Sequence, residues 1–470
     1  MSAHRSERNE TSIAVGLVAI TFVGAMISSL GAPLIPAIAA STGSTLSQAQ
    51  WTLTLTVLVS VAATPVMGRL ADTRYRRATI LVALSLVTVG GVLAAIGAQS
   101  LPLLLVGRAL QGFGQGLAPM MISIAHTALT HGRQRSTIAV LSITNAAGVG
   151  LGYPITGLLA QWVGIAGAFW IGGVLTSVAA LIVAALIVPV SRDLAARRID
   201  ILGAVMFAIA IGSLLLALAQ GDEWGWGSVG VITLLVVAVV VGVAWTFYQL
   251  HTQHPLVDLR LLKRRSVLTA DITVLLGGVG MYLLLTLATR IIQAPPADGL
   301  GYGAVVTGLA MLPMSAGSLA ANWIAKWLRN RIPSIYLLPT AAVVMIIAMI
   351  LFTLMRHNLV ALLIAMAIAG IGIGLVFALV PTLIVGHVPR GDTGSALSFN
   401  QIFRYVGYSF GSVLTASILQ AGTLPGATYP SGTAYAAAGL TGAVIWVIVG
   451  IASATTAGTS NTPPTEKGQP

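Results

Sequence analysis

QWTLTLTVLVSVAATPVMGRLADTRYRR, residues 50–77, holds the pattern on which the fold turns. Residues 50–68 carry no charge, and Arg69, Asp72, Arg74, Arg76 and Arg77 crowd into the next nine positions. About twenty apolar residues in a helix cross a hydrocarbon core of about 30 Å. The same alternation of long apolar run and short charged loop recurs along all 470 residues. The chain is 56% hydrophobic and only 8% charged, with a mean hydropathy of +0.93. A soluble domain of this size carries roughly a quarter charged residues, so most of this surface meets something other than water. In lipid only helices and closed barrels satisfy their own backbone, and no ten-residue alternating pattern of barrel strands is present. The fold class is all-α and polytopic.

Spans are expected near residues 13–39, 47–68, 78–98, 101–129, 137–160, 164–189, 200–219, 228–250, 267–293, 302–327, 334–355, 359–386, 395–421 and 433–454. Fourteen spans with the N-terminus inside place twenty of the 24 basic residues in cytoplasmic segments. The outside loops hold only Arg356, and Arg108, Arg290 and Arg404 fall within spans. That asymmetry is the positive-inside pattern, with both termini cytoplasmic in a bacterial inner membrane. The net charge of +12 is therefore a topological signal, and no nucleic-acid partner is expected. The spans divide as six, two, six. Residues 1–12 form the N-terminus, 13–190 a first six-helix bundle, and 191–266 a linker with two extra helices. Residues 267–454 form a second bundle and 455–470 a disordered tail. The first half's RQRSTIAVLSITNAAGVGLG (133–152) is echoed by RGDTGSALSFNQIFRYVGYSFG (390–411), as a parallel repeat with a midplane site between halves requires.

Within residues 50–77, Gly68 allows close helix approach, Asp72 suits a basic partner or a helix N-terminus, and Arg69, Arg76 and Arg77 anchor the cytoplasmic face. Arg108 lies about seven residues into its span, where a charge costs about 2.5–3.5 kcal/mol on insertion scales. It faces a cavity or polar partner, with Gln111 and Gln115 along the same face, or it snorkels outward. Gly148 and Gly152 form a small-residue face with Pro154 bending the helix a turn later, and Gly407 and Gly411 repeat that spacing. Arg404 lies deep beside Asn400 and Gln401. Asp271 is the carboxylate clearly within a span, and matching depth motivates an Asp271–Arg404 pair. His126 titrates near neutrality or serves structurally, and Arg290 is an outer anchor or a gate. Met26, Gln111, Gln115, Asn145, Tyr282, Asn400 and Gln401 are the expected cavity lining, with Met120, Met121 and Met281 adapting to varied ligands.

GRLADTRYRR (68–77) resembles the signature loop between helices two and three of the major facilitator superfamily, departing at Tyr75, where the family usually has glycine. LVGRALQGFGQGLAPM (105–120) is similar to its fourth-helix arginine motif, and GVGLGYPITG (148–157) to the glycine-proline motif of its antiporters. GSALSFNQIFRYVGYSFGSVL (394–414) looks like the penultimate helix of its fourteen-helix drug:proton antiporter branch. The resemblance implies a part for Arg108 in proton coupling and a fifth-helix bend that suppresses leakage. That branch usually carries an acid in its first helix, where this chain has Gly24.

No Walker loop is present, and acids and histidines never cluster as a metal site would require. Cysteine is absent, so thiolate chemistry is excluded. No enzymatic activity and no cofactor are expected. The function read from these features is export of hydrophobic or amphipathic compounds in exchange for protons. The alternatives are a proton-coupled importer or facilitator of a small metabolite and, from another class, a receptor or scaffold. Oligomeric state is not encoded legibly, because lipid-facing and partner-facing helices look alike.

Overall fold

The computed structural model describes residues 2–30, 34–188, 199–253, 255–296, 299–333, 336–423 and 429–457. The regular elements among them are helical. Helix α1 runs over Ser2–Ser29, α2 over Ile35–Thr42, α3 over Leu46–Ala71 and α4 over Arg76–Ile96. Helices α5 (Leu101–Gln111) and α6 (Leu117–Ala128) are joined by a 3-10 turn, Gly112–Gly116. Helix α7 covers His131–Ala168, and a π-helical turn, Phe169–Leu175, leads into α8 (Thr176–Ile187). Then follow α9 (Ile201–Trp224), α10 (Val229–His251), α11 (Arg265–Gln293), α12 (Ala304–Leu309) and α13 (Leu312–Arg329). The last four are α14 (Leu337–Met355), α15 (Leu359–His387), α16 (Thr393–Ala421) and α17 (Gly432–Ala457).

Local chemistry sets several of these boundaries. Helix α3 opens on a capping box. The Thr45 hydroxyl accepts from the Gln48 N–H at 3.2 Å, and the Gln48 side chain accepts from the Thr45 N–H at 3.0 Å. The helical run of α7 is broken at Gly164, whose φ of 72° and ψ of −178° lie in a region essentially reserved for glycine. That break separates the spans expected at 137–160 and 164–189.

Among the described residues, ten helical stretches are long and apolar enough to cross a membrane. The expected spans at 101–129, 302–327 and 395–421 are not among them, and residues 155–187 form one stretch where two spans were expected. The reasons are local. The first is interrupted by the 3-10 turn, the second is split between α12 and α13, and α16 is diluted by Asn400, Gln401, Arg404 and serines. The polytopic all-helical class stands, while the count by length and hydropathy among the described residues stops at ten.

Helix α1 packs on α6, α7 and α8, while α4 packs on α5 and α8. Helix α11 packs on α15, α16 and α17, α13 on α15, and α14 on α15 and α17. The early and late helices meet where α3 and α6 touch α16, and where α7 touches α13 and α15. Helices α9 and α10 form a hairpin, with α9 lying against both α3 and α16. Phe207 of α9, Trp245 of α10 and Phe399 of α16 make one aromatic cluster there, with Phe207 and Trp245 centroids 4.9 Å apart.

Large apolar side chains stand on the outside, including Val229 at 82% exposure, Leu186 at 80% and Leu354 at 76%. Apolar patches of that extent are rare on soluble monomers, and lipid covers them here. Arg192, Arg197, Arg198 and the tail from residue 458 lie outside the described residues, as does the Pro154 side chain on which a bend was expected.

Gly164 and Gly157 give a matched test. Gly164→Ala is expected to destabilise the protein by about 1–3 kcal/mol, the cost of such a backbone for an L residue. Gly157, on the same helix, has open space where a Cβ would sit, and Gly157→Ala is expected to be neutral or mildly stabilising. Thermal unfolding in detergent separates the two, and equal midpoints would refute the assignment of strain to Gly164.

Candidate functional site

The charged loop after α3 splits its work between two directions. Asp72 reaches across to α16, where its carboxylate accepts the Gly394 N–H at 2.9 Å and the Ser395 N–H at 3.1 Å. These are first-turn donors that a helix cannot satisfy itself, and α16 has no side-chain cap of its own. The Ser123 hydroxyl of α6 donates to the same carboxylate at 2.9 Å. Asp392, at the N-cap position, instead accepts from Arg69 at 2.7 Å. Gly68 makes this approach feasible, because a Cβ there would lie 1.9 Å from the Ser398 hydroxyl and 2.6 Å from the Gly394 carbonyl. Burial raises the Asp72 pKa to about 6, against the lowering effect of the Gly394 and Ser395 N–H groups and the Ser123 hydroxyl.

Arg76 and Arg77 turn the other way. Arg76 donates to the Thr127 hydroxyl at 2.8 Å and Arg77 to the Ala185 carbonyl at 2.6 Å, tying α4 to α6 and α8. Tyr75, the departure from the family pattern, has a φ of −83° and an exposed side chain, so glycine is not needed there. His126 is buried against Gln134, which bonds its ring nitrogen. That contact holds the end of α6 to α7.

Arg108 is fully buried at 0% exposure, so it does not snorkel. Its guanidinium donates to the Gln111 side chain at 2.6 Å, the Ile27 carbonyl at 3.3 Å and the Thr52 carbonyl at 3.4 Å. Its partners are neutral carbonyls of α1, α3 and its own helix. The Thr56 hydroxyl in turn donates to the Arg108 carbonyl at 2.9 Å. Gly24 packs into this region, and a Cβ there would stand 2.8 Å from the Gly114 carbonyl. The space beside Gly24, where the resemblance implied an acid, is taken up by the backbone of the 3-10 turn.

Helices α11 and α16 pack through glycine. A Cβ on Gly407 would lie 2.2 Å from the Leu275 carbonyl, and one on Gly411 2.4 Å from that of Val279. Gly148 is the counterpart in α7, with Ala25 of α1 2.7 Å from where its Cβ would be, and Gly152 is buried four residues on. The α11–α16 contact brings Asp271 to Asn400, whose amide donates to the carboxylate at 2.7 Å. One residue on, the Gln401 amide donates to the Gln115 carbonyl and to the Tyr405 hydroxyl, each at 2.8 Å. Arg404 stacks on Phe377 of α15, with its guanidinium carbon 4.3 Å from the ring centroid. Tyr282 and Tyr408 stack with centroids 4.8 Å apart, and Tyr405 meets Tyr408 edge-on at 6.2 Å.

Some expected roles are corrected by this geometry. The Asp271–Arg404 pair is replaced by Asp271–Asn400, because Asn400 is the α16 side chain one turn nearer the level of Asp271. Gln111, expected to line the cavity, is buried and holds Arg108. Met120 and Met121 are fully buried core residues, and Met26 is buried as well. Met281 packs part-buried against the core. Gln115, Asn145 and Tyr282 are part-buried, and Arg290 is exposed near the end of α11. The sequence reading missed Asp392, Ser123, Gly394 and Ser395 as receivers of the signature loop. RGDTGS (390–395) at a helix start is the signal that marks them.

The sequence profile of the Major Facilitator Superfamily matches residues 17–412. The chain belongs to the Major Facilitator Superfamily. Among facilitator-superfamily relatives, the multidrug resistance protein Stp of Mycobacterium tuberculosis is 26% identical over 376 residues, covering 79% of this chain and 68% of Stp. The multidrug transporter protein MdtP of Bacillus subtilis is 24% identical over 436 residues, 90% of this chain and 77% of MdtP. The fold is also that of the human organic anion transporter MFSD10, with a TM-score of 0.68 at 14% identity, over 94% of this chain and 99% of that one. The proton:xylose symporter XylE gives a TM-score of 0.63 at 14% identity, over 94% and 95%.

The contact at Asp72 is expected to depend on pH. Its carboxyl binds a proton more tightly when buried against α16 than when exposed to water. The contact is therefore strongest below pH 3.8, the ordinary value, and weakens as pH rises through about 6. Because the chain has no cysteine, Ser398→Cys, buried beneath Gly68, reports opening through thiol labelling. Labelling is expected to be about tenfold slower at pH 5 than at pH 7, corrected for thiol ionisation. Asp72→Asn should flatten the profile, and an unchanged profile in that variant counts against Asp72 as the titrating group.

Proposed function

We propose that this chain exports hydrophobic or amphipathic drug-like compounds across the bacterial inner membrane by alternating access, in exchange for protons. In this reading the two six-helix halves rock about a midplane site, and the arginine-rich end, with both termini, faces the cytoplasm. The observation that carries it is the contact of Asp72 and Arg69 with the start of α16. Three polar interactions and one close glycine approach join early and late helices at a single end of the molecule. Hydrogen bonds of this kind are replaced by water at little net cost when the helices part, as an alternating cycle demands. Stp and MdtP, named for multidrug resistance and transport, support the substrate class.

Asp271 is the proposed proton carrier. It lies more than a turn inside α11, buried against a single amide donor. Its position next to α16 would link its protonation to the helix that Asp72 holds. One observation favours a second reading, an uncoupled facilitator. Gly24 puts no acid at this depth of α1 and leaves no room for one beside the Gly114 carbonyl.

Everted membrane vesicles separate the two readings. With fluorescent amphiphiles of anionic, neutral and cationic charge, an imposed pH gradient is expected to drive accumulation of at least one probe, and a protonophore should abolish it. Asp271→Asn at normal protein level should remove the pH-driven component while sparing downhill exchange. Accumulation indifferent to the gradient would establish the facilitator. Gly68→Val should stop transport of every probe, since its side chain blocks closure against Ser398 and Gly394.

A further inference from the structure

We propose that Arg404 and the tyrosines around it form a binding site for aromatic anions, so that the transported amphiphiles are carboxylates, sulfonates or acidic phenols and not lipophilic cations. The proposal deepens the export reading and rests on it for direction of transport, but the binding site stands on its own geometry.

Arg108, Asp271 and Arg404 are charged side chains that lie between the helices. Arg108 is surrounded by carbonyls and the Gln111 side chain, and it is sealed from any ligand. Asp271 is closed off at 3% exposure by its bond with Asn400. Arg404 differs from both in being only part-buried. No carboxylate pairs with it among the described residues, and its buried Nε has no hydrogen-bond partner, as is also true of one terminal guanidinium nitrogen of Arg108. Its guanidinium rests on the Phe377 ring and shares a hydrogen bond with Tyr408.

The direction it faces follows from its neighbours. One turn before, Gln401 bonds the Gln115 carbonyl in the 3-10 turn between α5 and α6. Phe410, on the opposite side of α16, is 42% exposed toward lipid. Arg404 is therefore on the side of α16 that confronts the early helices, part-buried together with Tyr282, Tyr405 and Tyr408.

The chemistry of that group selects its ligand. A charge in a low-dielectric interior is costly unless paired, and this arginine keeps its Nε donor unused. A guanidinium fork matches a planar carboxylate or sulfonate. The stacked Tyr282 and Tyr408 rings and the edge-on Tyr405 present faces and edges for an aromatic body. A lipophilic cation would bring its charge against Arg404 with no free carboxylate beside it to compensate.

The test uses purified full-length protein in detergent and three probes sharing one ring system: 2-naphthoate, 2-naphthamide and 2-naphthylmethylammonium. Titration calorimetry is expected to rank naphthoate about 10- to 100-fold tighter than the ammonium, the ratio a charged hydrogen bond supplies. Arg404→Gln should bring naphthoate down to the naphthamide level, and Arg404→Lys should keep part of the preference. Equal binding, preference for the cation, or no binding of any probe to the unaltered protein overturns the proposal. So does an anion preference that Arg404→Gln leaves intact. Because binding is read without transport, loss of the export reading leaves this result interpretable, and loss of the anion preference leaves export untouched.

Discussion

A carboxylate from one helix caps another. Asp72, just past α3, supplies the first turn of α16 with the acceptors that its own N-cap residue, Asp392, gives to Arg69 instead. The favourable charge–dipole geometry at a helix N-terminus is realised only when α3 and α16 lie side by side, and Gly68 removes the one atom that would keep them apart. The stability of the α16 start and the closure of this end are thus a single event. A side-chain cap within α16 would have made the helix self-sufficient and left the two halves of the chain uncoupled there.

Elsewhere the structure meets the demands of lipid by sharing polar groups between helices. Arg108 distributes its donors over carbonyls of α1 and α3, Thr56 returns a bond to the Arg108 carbonyl, and Asn400 and Asp271 satisfy each other. Between these, glycines bring backbones together at Gly148 against α1, and at Gly407 and Gly411 against α11. Close packing and interhelical hydrogen bonds replace the hydrophobic force that lipid removes. The α9–α10 hairpin joins in through Phe207, Trp245 and Phe399, so this pair covers the line where α3 meets α16.

Departures from the family pattern have physical explanations. Tyr75 replaces a glycine at a position whose backbone needs none. Gly24 stands where the resemblance implied an acid, and the backbone of the 3-10 turn lies close against it.

The class of fold was legible from residues 50–77 alone, because an uncharged run followed by clustered arginines has few other solutions in lipid. Gly68, Asp72, Gly407 and Gly411 were also readable, since small residues and a lone acid at helix ends have narrow uses. Partners were not readable. Sequence depth matched Asp271 with Arg404, and the packing of Gly278 against Gly407 set the register that gives Asp271 to Asn400. Gln111 and Gln115 share a face on paper, but the turn between them buries one against Arg108 and aims the carbonyl of the other at Gln401. Periodicity fixes which residues share a helix face. Only the rotation and close approach of neighbouring helices decide which of those faces meet.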